Sequence, residues 1–123
     1  MTLPRAALPR PAPPRPDLIR SPRAPYGWLD AGLLRQGWLR RVGPRATAVL
    51  TFLALVADRE GVSYYRRERI ALALDMNRGD VDQALAHLLA EGLVAFSSWR
   101  PGEQDGVWQI LPLPAVAPPP LID

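Results

Sequence analysis

Few side chains in this chain have the type and spacing that chemistry needs. His87 is the only histidine, and there is no cysteine, so no HxxxH, HxxE or thiolate ligand set can be drawn. Ser63, Ser97 and Ser98 lie in no nucleophile motif, and neither GxxxxGK[ST] nor GxGxxG occurs. Asp80 and Asp82 are two positions apart, so on a helix they face different ways and belong to caps and solvent. The expectation is a non-enzyme without a cofactor. What remains is recognition chemistry. The Gln83 amide can bond an adenine edge in a bidentate way. His87 lies on the same helical face. Arg66 and Arg67 stand at a helix start, where the dipole disfavours cations, a mild cost that phosphate contact would offset. Asn77 and Arg78 open the next helix, and Arg100 sits in a turn-rich loop.

The elements that must position these groups fall within Arg66–Gly92. Two short helices with a tight turn at Asp75-Met76-Asn77 are expected. The first turns Ile70, Ala71 and Leu74 inward; the second turns Val81, Ala84, Leu85 and Leu88 inward, the i, i+3, i+4, i+7 spacing of an amphipathic helix. Asn77 suits the N-cap, Asp80 complements the dipole, and Gly92 suits the residue after the last turn. With the core face so placed, the outward face is Gly79, Gln83, Ala86, His87 and Ala90, with Gln83 at its centre. The small residues there would allow close approach to a groove or to another helix.

Upstream, Tyr26 to Leu39 carries paired apolar residues. They predict a short helix over about 28–36, a bend at Gly37, and packing against the core. Pro44 suits a first helical position, and the longest helix is expected over about 44–58, with Val49, Leu50, Phe52, Leu53, Leu55 and Val56 apolar nearly all round. The apolar run from Ala46 to Ala57 is too short to span a bilayer, which takes roughly 20 residues. Val62–Tyr65 is β-prone. Leu93–Trp99, a loop over 100–106 and Val107–Leu111 read as a β-hairpin, with Trp99 and Trp108 at its two sides and packing as their default role.

Of 15 prolines, eight lie in residues 1–25 and five in 112–120, so neither flank should pack. The expected division is a Pro/Arg-rich disordered arm over 1–25, a folded domain over 26–113 and a disordered tail over 114–123. Every basic residue is arginine. Residues 1–45 hold nine arginines against two aspartates; residues 46–123 hold six against ten acids. A net charge of +3 thus conceals a basic arm on a slightly acidic domain. Arg5, Arg10, Arg15, Arg20 and Arg23 would draw the arm to an anionic surface such as nucleic acid. Arg10, Pro13 and Pro16 also fit an RxxPxxP pattern, although a solvated arm explains them as well. Arg40, Arg41 and Arg45 cluster where they could follow a phosphate backbone. With no apolar leader and no membrane span, a cytoplasmic protein is expected.

The order of helix, short strand, two helices and hairpin resembles the winged helix-turn-helix superfamily. The segment RRERIALALDMNRGDVDQALAHLLAEGLV is similar to MarR-type and GntR-type regulators and to phage and plasmid replication initiators. The upstream YGWLDAGLLRQGWLRRVGPRATAVLTFLALVADREG is more like the initiators. The resemblance covers about 26–111. It implies a mainly α fold with a small β-hairpin: a three-helix core, a recognition helix over about 78–91 and a wing over about 99–107. The implied function is double-stranded DNA binding by a transcriptional regulator or replication factor, with room for a protein partner or a homodimer. Two features depart from the family pattern. Asp80 and Asp82 stand where polar or basic residues are usual, and Glu103 and Asp105 stand in the loop. They keep a second class open, a non-enzymatic adaptor that docks a protein through an acidic helix.

Overall fold

The computed structural model describes residues 10–119. They form a mainly helical fold with a small antiparallel sheet. The helices are α1 (Gly32–Arg35), α2 (Trp38–Val56), α3 (Arg67–Leu74) and α4 (Arg78–Ala90); the strands are β1 (Val62–Ser63), β2 (Val94–Ser98) and β3 (Gly106–Ile110). The sheet order is β1-β3-β2, with Val62 opposite Gln109 and Phe96 opposite Trp108.

α2 is the central element and packs mainly on α4. Its buried residues, Trp38, Val42, Ala46, Val49, Leu50, Leu53 and Ala54, meet Ile70 and Ala71 of α3 and Val81, Ala84, Leu85 and Leu88 of α4. Leu93, Val94 and Trp108 close the core from the sheet side. The inward set expected for α4 is the one observed. In α3, Leu74 is only half-buried. Asn77 caps α4, its Oδ1 accepting from the Asp80 amide at 2.8 Å, and Gly92 takes φ 74° after the last turn.

Several expectations need correction. The lead-in helix over 28–36 shrinks to the single turn α1, whose first amide donates to Asp30 Oδ1 at 2.7 Å. Leu33 and Trp38 are buried as expected of a segment packed on the core, whereas Tyr26, Trp28 and Leu34 are exposed. Helix begins already at Trp38, ahead of the start expected at Pro44. It breaks at Gly43, where φ 86° and ψ 175° are open only to glycine, and regular helix resumes at Pro44. It is central and apolar nearly all round as expected, but not buried all round, since Leu55 is exposed. The hairpin is the larger part of a three-stranded sheet, because Gly61 and β1 pair along β3. Tyr64 and Tyr65 fall beyond that strand. Trp108 is buried but Trp99 is not.

Before α1, Ala24 to Asp30 border an open groove of about 930 Å³ against Ala54, Asp58 and Ile110. Leu113, past the last strand, packs on the core. Of the arm, residues 10–23 carry one 3-10 turn, Pro16–Leu18, beside an exposed Arg15–Asp17 pair at 2.8 Å. Arg5 lies outside the described residues. No described helix is long and apolar enough to cross a membrane.

Candidate nucleic-acid interface

Four of the seven residues singled out on the folded domain gather where the first turns of α3 and α4 meet the β2–β3 loop. Asp82 lies at their centre. Its Oδ1 accepts from Arg67 Nη1 at 3.0 Å and from Arg78 Nε at 3.2 Å. Both arginines also reach the loop: Arg67 Nε donates to the Gln104 carbonyl at 3.0 Å, and Arg78 Nη2 donates to Gln104 Oε1 at 2.7 Å. The loop answers through Asp105, whose Oδ1 accepts from the Arg67 amide at 2.9 Å. α3 has no cap of its own at Arg66, so the loop supplies one from 38 residues away.

These bonds redefine the roles of several residues. Arg67 is not a free cation at a helix start. Its side chain is 15% exposed, and the guanidinium lies 5.4 Å from the Trp108 ring centroid and 5.8 Å from that of Phe96. Planar, weakly hydrated guanidinium suits that stacking. Asn77 is committed to the cap, with Oδ1 on the Asp80 amide and Nδ2 on Asp80 Oδ2 at 3.1 Å. Arg78 is partly exposed and partly tied to the loop. Asp82 is not merely solvated. Burial alone would raise its carboxyl, but the hydrogen bonds and charges of Arg67 and Arg78 outweigh that and hold it below the usual carboxylate range.

Asp80 is likewise paired, with Arg45 Nη1 3.4 Å from its Oδ1. The two carboxylates in the first turns of α4 are therefore met by three arginines, Arg45 of α2, Arg67 of α3 and its own Arg78. At the other end of α4, Arg41 Nε bonds Glu91 Oε1 at 3.0 Å, and His87 Nε2 lies 3.8 Å from the same oxygen. His87, expected on the outward face, is only half-exposed and lies at its edge beside Glu91. Arg40 is exposed.

What faces solvent on α4 is Gly79, Gln83, Ala86 and Ala90, all exposed; the Gln83 amide has no hydrogen-bond partner among the described residues. Arg66 is exposed beside the loop, and Arg100 is exposed with Glu103 Oε1 4.0 Å from its Nε. This surface has a solvent-facing amide at the middle of a smooth helix face, a charge-compensated helix start, and exposed cations on the flank. It can offer a bidentate hydrogen bond to a planar edge and charge to phosphates. It has no nucleophile, base or ligand cluster, and no group of metal-binding side chains occurs among the described residues.

Sequence reasoning missed the Asp82 centre, the Asp105 cap and the Arg45–Asp80 pair. Only Arg78–Asp82 carried a local signal, an i, i+4 pair of opposite charge. No protein-family model, curated protein or solved structure matched the chain.

Proposed function

We propose that the chain is a winged helix-turn-helix protein that binds double-stranded DNA, with α4 as recognition helix and the β2–β3 loop as wing. The observation that carries this reading is the double tie of Arg67 and Arg78 to Asp82 and Gln104. It fixes the loop beside the first turn of α4, so helix and loop would meet a duplex as one rigid surface. Rigid presentation matters, because base readout needs a fixed register that phosphate contacts then hold. The α4 carboxylates Asp80 and Asp82 are each paired with arginine, which favours this reading over an acidic adaptor. Arg66, Arg100 and the arm cations Arg10, Arg20 and Arg23 supply charge for the backbone. Regulation of transcription or initiation of replication, in the cytoplasm, is the setting this reading implies.

Selection from random duplexes with the purified chain at physiological salt tests it: a recurrent site is expected, and an unenriched pool would refute it. Gln83→Ala should then weaken the selected site by about 1–3 kcal/mol and relax preference at one position. Its urea midpoint should stay unchanged, since the side chain is outside the core. Equal affinity of the variant for every base at every position would remove Gln83 from the reading surface.

A further inference from the structure

Other large aromatic rings near the sheet pack on the core or its edge. Trp108 is buried against Phe96, with centroids 4.4 Å apart, and Tyr65, although exposed, packs edge-on against the half-buried Phe52 at 5.4 Å. Tyr64 and Trp99 do not. They lie against each other with centroids 6.1 Å apart and planes 28° apart, and remain 58% and 51% exposed. Trp99 also borders a small polar concavity of about 240 Å³ shared with Arg66, Glu103, Gln104 and Asp105.

The charges around the pair favour an anion. Asp105 is turned to the amide that starts α3, and Glu103 is offset by Arg100. Arg66, which shares the concavity with Trp99, is exposed and has no ion-pair partner among the described residues. The Gln104 side-chain carbonyl is occupied by Arg78, which leaves its amino group to donate. Exposed aromatic area beside unpaired guanidinium is the combination that holds single-stranded nucleic acid: the ring takes a base face, and the cation takes the phosphate.

We propose that Tyr64 and Trp99 form a stacking platform for an unpaired base of single-stranded DNA that continues from the duplex on α4, with Arg66 on its phosphate. This rests on the duplex-binding reading for its geometry but not for its chemistry. A Pro-rich peptide, such as the chain's own arm, fits less well. Such segments fill slots between rings set apart, whereas near-parallel rings in contact make a slab. Arg66 would also repel the arm's arginines.

The test uses the full chain and a mixed-sequence duplex of about 20 base pairs, blunt or carrying about six thymines at the 3′ or 5′ end, at low salt. The extension of one polarity should tighten binding about 5- to 150-fold, the range that stacking one base supports. Tyr64→Ala and Trp99→Ala should each abolish most of that gain, with Tyr64→Ala leaving blunt-duplex binding unchanged, while Trp99→Phe should keep the gain. Unchanged urea midpoints would show that the variants fold. No gain from either extension, or a gain that both alanine variants retain, overturns the platform while leaving duplex binding intact. Displacement of the extension by a peptide of residues 8–25, lost in Trp99→Ala, would overturn it in favour of a Pro-rich ligand. If no duplex binds, the duplex reading fails by itself; the platform then stands on oligothymidine binding that Trp99→Ala removes, and falls without it.

Discussion

Replacing Asp82 with Asn keeps the shape of the side chain and removes the charge at the junction of α3, α4 and the loop. Two things change. Arg67 loses its charged partner while staying 15% exposed, and keeps the Gln104 carbonyl and the Trp108 and Phe96 rings. Arg78 loses its i, i+4 partner but keeps Gln104 Oε1. The Asn amide carbonyl can still accept one hydrogen bond. Hydrogen bonds to charged groups contribute about 1.5–3 kcal/mol. Asp82 and Arg78 are each about 40% exposed, so solvent screening takes most of the Arg78 share. The remainder is a loss of about 1–2 kcal/mol at neutral pH, measured by urea unfolding. The sign of the pH dependence follows from the depressed carboxyl. Its stabilisation is complete above the unfolded carboxylate value, near 3.9, and fades as pH falls through the lower folded value. Wild type and variant should therefore converge in acid. A variant within about 0.3 kcal/mol of wild type at neutral pH would refute the assignment of Asp82 as the centre of the junction, well below the 0.5–3 kcal/mol typical of a disruptive substitution. A gap that persists unchanged in acid would refute the electrostatic cause. The change should also loosen the loop, seen as faster amide exchange at Gln104 and Asp105.

Two further outcomes follow. Gly43→Ala forces a Cβ into φ 86°, ψ 175°, and should cost about 1–3 kcal/mol in urea unfolding; an unchanged midpoint would mean that the α2 break is not needed. Deleting residues 1–23, which spares Ala24 and Pro25 at the groove, removes five arginines and should reduce the log–log salt slope of duplex binding by up to about 4.5, at about 0.9 per phosphate contact. A slope that does not move would assign the arm no part in binding.

Local chemistry determined much of this protein before any tertiary contact was considered. The inward faces of α3 and α4, the Asn77 cap, the turn after Leu74 and the strand–loop–strand order follow from periodicity and from residues with particular backbone preferences, which act over a few positions. Gln83 as the exposed centre of α4 follows from the same periodicity, since a face opposite the core must meet solvent. The helix start at Trp38 was hidden because Gly43 and Pro44 read as a boundary. Only packing of Trp38 and Val42 on the core keeps the short segment before the break helical. The short strand at Val62–Ser63 was legible as β-prone sequence, but its pairing with β3 was not, because two residues are too few to specify a partner 47 positions away. The roles of the charged residues were out of reach for a different reason. Asp82 lies 15 positions from Arg67, Asp105 lies 38 from the amide it caps, and Arg45 lies 35 from Asp80. A charge read alone has only its sign; whether it repels phosphate or neutralises a neighbour depends on which side chain the fold brings within 3–4 Å. The acidic start of α4 looked like an obstacle to anion binding, and the tertiary structure supplies the arginines that cancel it.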